Sequence, residues 1–274
     1  MLFTILSKPR IMFPVMLMTL LCLPPSAKAA SDSALVAQID SAHRAADSRV
    51  RDPYRHPLQT LEFFGLRADQ TVVEIWPGGS GWWTEILAPY LKEKGRYIAA
   101  NPPIAGASQE ALNGNQTFVA KLASDPALYD KVIIASFPAT DIVAPGTADL
   151  VLSFRNLHNW LTTGTVDQAF NSFYRALKPG GILGIEDHRA NPALPADAQL
   201  KNGYVREDEA IRLAEKAGFR LLARSEVNAN PKDTKDYAAG VWTLPPTYRL
   251  KEQDRDKYTA IGESDRFTLK FVKP

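Results

Sequence analysis

The stretch Thr71-Val-Val-Glu-Ile-Trp-Pro-Gly-Gly-Ser-Gly-Trp-Trp-Thr84 decides the fold. It begins as a short β-branched apolar run that carries one carboxylate, Glu74, and it breaks into a glycine-rich turn at residues 77–81. A helical pattern follows at residues 83–91. Strand, glycine turn and helix in this order open a nucleotide-binding α/β domain, because glycines let the backbone approach a ligand and the helix presents unpaired N–H groups.

Apolar runs and helical patterns alternate along the rest of the chain. Further strands are predicted at residues 95–101, 131–136, 148–154, 182–186, 219–227 and 265–272, with helices at 166–177 and 206–217. This alternation predicts an α/β fold with a doubly wound, mostly parallel seven-stranded sheet in a single domain, residues 30–274. Residues 30–66 predict a helical N-terminal extension, and residues 228–264 predict a lid-like insertion before the last strand.

The N-terminal 29 residues have the pattern of a secretory leader. Lys8 and Arg10 precede a short apolar run at residues 11–23, and Ala27-Lys28-Ala29 is a small-residue cleavage site. The alternative is an uncleaved anchor, but the run is well short of the roughly 20 residues that span a bilayer. A lipoprotein through Cys22 is disfavoured because Leu21 stands where a small residue is expected. We therefore expect cleavage after Ala29, a secreted or periplasmic protein, and no stable membrane anchor after cleavage.

Charge and sulfur content restrict the function of the mature chain. The 274-residue sequence has 32 basic and 30 acidic residues, and the leader removes three basic ones, which leaves 29 against 30. A near-neutral protein lacks the excess of positive charge that is typical of nucleic-acid-binding proteins, so the expected partner is a small-molecule substrate. The only cysteine and all four methionines lie in the leader, which excludes a cysteine nucleophile and a cysteine-ligated metal from the mature chain. No metal site is predicted, and the oligomeric state is left open.

Several motifs resemble, in order and spacing, the class I S-adenosylmethionine-dependent methyltransferases, with their Rossmann-like fold. More narrowly, they resemble predicted bacterial methyltransferases that carry a secretory leader. The resemblance covers roughly residue 51 to the C-terminus. The motifs that carry it are Glu74-Ile-Trp-Pro-Gly-Gly79, Ala148-Asp-Leu-Val151, Phe154-Arg-Asn-Leu-His-Asn-Trp160, Leu177-Lys-Pro-Gly-Gly181, Glu186-Asp-His188 and Asp265-Arg-Phe-Thr-Leu-Lys-Phe271.

Two other enzyme classes fit less well. A dinucleotide fingerprint requires Gly-x-Gly-x-x-Gly, and Gly79-Ser-Gly-Trp-Trp-Thr84 lacks the third glycine. A serine hydrolase requires a Gly-x-Ser-x-Gly elbow, which the turn does not contain.

The resemblance implies S-adenosylmethionine as cofactor, lying across the carboxyl ends of strands 1 to 4. Two departures concern its binding: Trp76 stands where the first glycine is expected, and Asn101 stands where strand 2 normally ends in a ribose-binding acid. The usual acid after strand 3 is missing at Phe137, which leaves Asp141 as the nearest candidate. The cofactor-binding residues predicted are Glu74, Trp76, Pro77, Gly78, Gly79, Gly81, Asn101, Asp141, Phe154 and Arg155.

The methyl acceptor is expected beyond strand 4, where polar side chains are crowded. His158 is the candidate general base, because imidazole is suited to proton transfer near neutral pH. Asn156, Asn159, Asp187 and His188 are candidate substrate-binding residues. The predicted function is methyl transfer to a small polar acceptor outside the cytoplasm. The alternative is a non-catalytic ligand-binding protein that retains the fold, since this cofactor is made in the cytoplasm.

Overall fold

The computed structural model describes Met1, residues 32–106 and residues 108–274, so the predicted leader lies outside the described residues except for Met1. Residues 32–274 form one compact unit. In the described ranges, no helix is both long and apolar enough to cross a membrane.

A seven-stranded sheet forms the centre of this unit. Its order is β3-β2-β1-β4-β5-β7-β6, and all pairings are parallel except that β7 runs antiparallel to β5 and β6. The predicted Rossmann-like methyltransferase fold is confirmed. The strands are β1 (Thr71–Ile75), β2 (Arg96–Asn101), β3 (Ile133–Ser136), β4 (Ala148–Phe154), β5 (Leu177–His188), β6 (Arg220–Ser225) and β7 (Arg266–Val272).

Helices cover both faces of the sheet. They are α1 (Ser33–Ile39), α2 (Ala46–Arg49), α3 (Asp52–Arg55), α4 (Pro57–Phe64), α5 (Thr84–Leu91), α6 (Gln109–Ser124), α7 (Pro126–Tyr129), α8 (Leu157–Thr163), α9 (Val166–Ala176), α10 (Ala196–Leu200), α11 (Glu207–Lys216) and α12 (Arg255–Ile261), with a 3-10 turn at Gly240–Thr243.

For the first part of the N-terminal extension, the sequence predicts one helix over residues 31–51, with Ser31 or Asp32 as its N-cap and Asp52-Pro53 as its end. The structure differs from this prediction. Asp32 caps α1 by accepting from the backbone N–H groups of Ala34 and Leu35, as expected, but α1 ends at Ile39. Asp52 and Pro53 do not end a helix. They begin α3, because proline is tolerated in the first helical turn, where its missing N–H is not required.

Several strand boundaries also differ from the prediction by one or more residues. β5 begins at Leu177, earlier than predicted, because Leu177 pairs with Ala148 before the Lys-Pro-Gly-Gly sequence is reached. β3 begins two residues later than predicted, at Ile133.

Alternation along β1 sets the direction of each side chain. Val73 and Ile75 pack into the core on the face that α8, α9 and α11 cover, and Val72 packs into the core on the face of α4 and α5. Because successive side chains of a strand point to opposite faces, Glu74 shares the face of Val72. β1 lies between β2 and β4, where the strand order reverses, and ligands of such sheets bind at this place beyond the carboxyl ends of the strands.

Candidate active site

The turn after β1 bends sharply at Trp76. Its backbone is left-handed, with φ 49°, a conformation that glycine adopts freely and a tryptophan rarely does. The structure therefore keeps the backbone conformation of a glycine at the position where the sequence has Trp76. Gly78 continues the turn with φ 74° and has no atom within 4 Å of the place where a Cβ would be, so its role here is conformational.

The other two glycines of the turn face helix α6. A Cβ on Gly79 would lie 3.2 Å from the Gly114 carbonyl oxygen, and one on Gly81 would lie 3.1 Å from the Phe118 ring. Both glycines therefore allow close packing of the turn on α6. Neither lines the cavity described below.

The carboxylate of Glu74 is buried beneath the turn, 1% exposed. The Tyr97 hydroxyl donates a hydrogen bond to it at 2.5 Å, and the Thr84 hydroxyl lies 2.7 Å from the same tyrosine oxygen. Burial raises the pKa of Glu74 to about 7, although the Tyr97 hydrogen bond and the charge of Arg55 oppose the rise. No ion pair joins Glu74 to Arg51 or Arg55 within the described residues. A carboxyl group with this pKa changes its charge readily when a cation binds beside it.

The carboxyl end of β4 lies next to this turn. Arg155 is left-handed, with φ 59°, and its backbone N–H donates to the Glu186 carbonyl at 2.7 Å. Asn156 donates its side-chain N–H to the Ile75 carbonyl at 2.8 Å, which ties the end of β4 to the end of β1. Phe154 stacks on Trp83 with ring centroids 4.1 Å apart.

His158 and Asp187 form a buried pair at the ends of β4 and β5. Asp187 accepts from the backbone N–H of His158 at 3.1 Å, and its other oxygen lies 3.0 Å from His158 Nδ1. A proton on Nδ1 satisfies that contact and leaves Nε2 as a proton acceptor. His188 is arranged similarly, with Nδ1 2.6 Å from the Ser264 hydroxyl.

His158, Asp187 and His188 also make a group with metal-ligand chemistry. One ligand atom from each lies within 4.8 Å of the others. However, both Asp187 oxygens already accept hydrogen bonds. Burial, followed by repulsion from His158 in its protonated form and from Arg155, lowers the pKa of His188 well below its ordinary value. Surrounding positive charge disfavours a bound cation, so this group suits proton transfer better than metal binding.

His158 and His188 line one cavity of about 270 Å³, together with residues of the turn after β1 and of the end of β4. Its walls come from the turn after β1, the start of α5, the end of β4, and residues 241–247 of the predicted lid. The lid thus contributes Val241, Trp242, Pro245, Pro246 and Thr247 to the cavity wall. The predicted site residues that line it are Glu74, Trp76, Pro77, Gly78, Phe154, Arg155, Asn156, His158 and His188.

Other predicted site residues lie elsewhere. Asp187 stands behind His158, outside the cavity wall. Asn101 is buried at the end of β2, and its carbonyl accepts from the Phe137 N–H at 2.8 Å. Asp141 is half-exposed and forms an ion pair with Arg175 at 2.7 Å. Asn159, on α8, does not line the cavity either.

The sequence analysis missed a group of charged residues in the wall: Arg51, Arg55 and Glu263. The arginines lie in the N-terminal extension, and Glu263 lies at the end of the lid. From the sequence alone, an arginine such as Arg51 or Arg55 is expected only as an alternative, structural ion-pair partner of the buried Glu74. The available signal was the pair of arginines four residues apart, which places them on one side of a helical segment.

Residues 78–185 match the family model described as a methyltransferase domain. This part of the chain is therefore similar to methyltransferase domains. No curated protein sequence matches the chain significantly.

Solved structures share the fold at low sequence identity. A SAM-dependent methyltransferase from Aquifex aeolicus is 18% identical, with TM-score 0.53, over 82% of this chain and 93% of that one. The [4+2]-cyclase SpnF is 16% identical, with TM-score 0.58, over 86% of each chain. CrArsM, an arsenic(III) S-adenosylmethionine methyltransferase from Chlamydomonas reinhardtii, is 16% identical, with TM-score 0.50, over 89% of this chain and 74% of that one.

Proposed function

We propose that this protein transfers a methyl group from S-adenosylmethionine to a small polar acceptor bound in the cavity. The observation that carries the proposal is that one cavity joins the glycine turn after β1 to the His158–Asp187 pair after β4. The fold and the match to the methyltransferase domain model support methyl transfer as the reaction class. In this proposal the His158–Asp187 pair supplies a base beside the expected position of the methyl group.

The chain fits one end of the cofactor well. Glu74 and the turn at Pro77 and Gly78 form a wall with a buried carboxylate, which suits the ammonium group of the methionine part. When bound, S-adenosylmethionine supplies a methyl group on a sulfonium centre that is open to attack by a nucleophile. Holding the acceptor in line with that methyl accounts for most of the rate, because alignment replaces a bimolecular encounter.

His158 takes the acceptor's proton in this proposal. The hydrogen bond from Nδ1 to Asp187 fixes the ring orientation and favours the tautomer in which Nε2 is unprotonated. Proton transfer from the acceptor to Nε2 gives an imidazolium, which the Asp187 carboxylate stabilises. Trp242 contacts the His158 ring edge to face, with centroids 6.2 Å apart, and helps to exclude water.

The site lies, on this proposal, outside the cytoplasm. The support is the basic, apolar and Ala-x-Ala pattern of residues 1–29. Absence of sulfur from the chain beyond the leader agrees with an oxidising compartment, since such a chain has no side chain that is readily oxidised at sulfur.

A second candidate function is ligand binding without methyl transfer. The observation that favours it is the position of the Trp76 side chain, which packs against both Phe137 and Trp160 beside the ends of β1 and β3. The resemblance puts the nucleoside part of the cofactor near this place, yet neither Asn101 nor Phe137 lines the cavity. The fold itself does not require methyl transfer, since one protein of similar structure is a [4+2]-cyclase.

Calorimetric titration of the purified protein with S-adenosylmethionine and S-adenosylhomocysteine tests the proposal. We expect both to bind, and Glu74→Gln to weaken S-adenosylmethionine binding about tenfold because a charge-assisted contact to the ammonium group is lost. Glu209→Gln is the matched control: it removes a carboxylate that pairs with Arg212 outside the cavity, and binding should not change. If neither compound binds the parent protein, the second candidate replaces the first.

A further inference from the structure

Four arginines converge on one carboxylate at the wall of the cavity. Glu263 accepts hydrogen bonds from Arg51 Nε at 2.6 Å and from Arg266 Nη1 at 2.9 Å. Arg55 Nε lies 3.6 Å from the same carboxylate and Arg155 Nη1 lies 4.0 Å from it. Burial alone would raise the pKa of Glu263, but the arginines outweigh it and hold the pKa well below its ordinary value. Glu263 is therefore ionised, and its charge is shared among four cations.

A second carboxylate, that of Glu186, lies 3.1 Å from Arg266 Nε. Glu74 is near enough for the charge of Arg55 to act on its pKa, but it forms no ion pair with any of the four arginines in the described residues. Four guanidinium groups therefore form ion pairs with only two carboxylates. A buried excess of positive charge is costly unless an anion compensates it.

Arg55 lacks hydrogen-bond partners in the described part of the chain, although it forms an ion pair with Glu263 at 3.6 Å. It is 3% exposed, its guanidinium stacks over the Trp82 ring at 4.4 Å, and two of its nitrogens, Nε and Nη2, have no hydrogen-bond partner in the described residues. Burial, followed by the charge of Arg155, lowers the pKa of Arg55 well below its ordinary value. A buried donor without a partner costs about 1–3 kcal/mol, and more when it is charged.

Arg51 and Arg155 line the cavity beside Arg55. Arg51 donates a hydrogen bond from Nε to Glu263, while its Nη2 is buried without a hydrogen-bond partner in the described residues. Arg155 reaches Glu263 only at 4.0 Å, and 26% of its side chain is exposed. Burial lowers its pKa to about 10, which leaves it protonated at neutral pH. Planar guanidinium groups bind carboxylate and phosphate oxygens with paired N–H donors, so these three side chains offer the chemistry of an oxyanion site.

We propose that Arg51, Arg55 and Arg155 bind an oxyanion, a carboxylate or phosphate group, and that this group belongs to the methyl acceptor. The assignment of the oxyanion to the methyl acceptor rests on the proposed function. The binding of an oxyanion by the three arginines does not, because it concerns binding alone. His158 lies in the same cavity, so an acceptor held by its anionic group at the arginines presents its other end to the base.

The same chemistry has a second source, the carboxylate of the cofactor's methionine part. Inorganic phosphate therefore serves as the probe, titrated into the protein with and without saturating S-adenosylhomocysteine. If the site belongs to the acceptor, phosphate binds equally in both titrations. If the cofactor carboxylate fills the site, the nucleoside abolishes phosphate binding, which confirms the oxyanion site and overturns its assignment to the acceptor.

Three variants test the residues. Arg55→Met removes the charge at similar length, and phosphate binding should weaken at least about tenfold. Arg155→Asn should act in the same direction, and asparagine tolerates the left-handed backbone at this position. Arg224→Met is the matched control, because Arg224 is paired with Glu207 outside this cavity. Its phosphate affinity should equal that of the parent.

Substitution of Glu263 should change the phosphate affinity in the opposite direction. Glu263→Gln keeps the shape of the side chain but removes its charge, so phosphate should bind at least about tenfold more tightly. Circular dichroism of each variant separates loss of fold from loss of binding. If the parent binds no phosphate, or if folded Arg155→Asn and Glu263→Gln bind it as the parent does, the proposal is overturned. Methyl transfer is not measured, so this outcome is independent of whether the protein is an enzyme.

Discussion

Trp76 donates its indole N–H to the carbonyl of Phe137 at 2.9 Å, a contact that joins the end of β1 to the end of β3. The two rings meet edge to face, with centroids 6.1 Å apart. The backbone of Trp76 is left-handed, so the contact is made from a conformation that costs a non-glycine residue about 1–3 kcal/mol. The tryptophan side chain therefore takes space beside the strand ends that a glycine would leave open.

Replacing Trp76 by glycine should release this space. We expect S-adenosylhomocysteine to bind about tenfold more tightly, because the indole contacts no longer have to be broken. Stability should fall by about 1–3 kcal/mol, since lost aromatic packing outweighs the relieved backbone strain. Calorimetry and urea unfolding measure the two effects. Trp160→Phe disturbs the same aromatic cluster without changing the turn, and equal nucleoside affinity in both variants would contradict this role for Trp76.

The His158–Asp187 pair should control turnover. His158→Ala should lower the rate about 10²–10⁴-fold, the usual contribution of a positioned acid–base group, while cofactor affinity stays nearly unchanged. Asp187→Asn should also lower the rate, because an amide no longer selects the tautomer. The rates are measured with labelled S-adenosylmethionine and acceptors chosen from anionic compounds that bind the cavity.

His43→Gln is the control for the histidine substitution, because His43 bonds to the Glu85 carbonyl away from this cavity. If His158→Ala loses stability but keeps full turnover, His158 is a packing residue.

Glu74 should make stability depend on pH. Its pKa is raised from 4.5 to about 7, chiefly by burial. Between these pH values the folded protein keeps a proton that the unfolded chain releases, so stability falls as pH rises through this window and is level above it. The contribution is about 3 kcal/mol, since each pKa unit corresponds to about 1.4 kcal/mol.

Urea unfolding of the parent and of Glu74→Gln, at a series of pH values from 4.5 to 8, isolates this contribution by difference. The variant should lack the fall in stability. Parallel pH profiles for the two proteins would mean that Glu74 is ionised throughout.

If the protein is exported and its leader is cleaved, the mature chain should have a defined N-terminus. If Ala27-Lys28-Ala29 is the cleavage site, protein recovered from outside the cytoplasm should begin at Ala30. N-terminal sequencing measures this directly. Ala29→Tyr should slow processing, because the cleavage site requires a small side chain, and an exported parent protein that still begins at Met1 would contradict the prediction.

Much of the fold followed from local pattern. Alternation of strands and helices predicted the seven-stranded, mostly parallel sheet, and the β-branched apolar run around Glu74 predicted β1. These signals lie within a few residues of one another, so they can be read directly from the chain. The turn of 77–81 was also evident, but which glycines face a ligand was not. Contacts of Gly79 and Gly81 with α6 depend on a helix that packs on the turn from elsewhere in the sequence.

The sequence by itself determined the fold class, the position of the turn after β1 and the crowding of polar residues after β4. Only the tertiary structure decided which charged groups meet in the cavity. Arg51 and Glu263 are separated by 212 positions in the chain, yet they lie 2.6 Å apart. No local periodicity encodes such a contact, because it arises when the N-terminal extension and the segment before β7 fold over the same edge of the sheet. Charge compensation is a property of that assembled edge, which is why the missing hydrogen-bond partners of Arg55 in the described residues could not be anticipated from its neighbours in sequence.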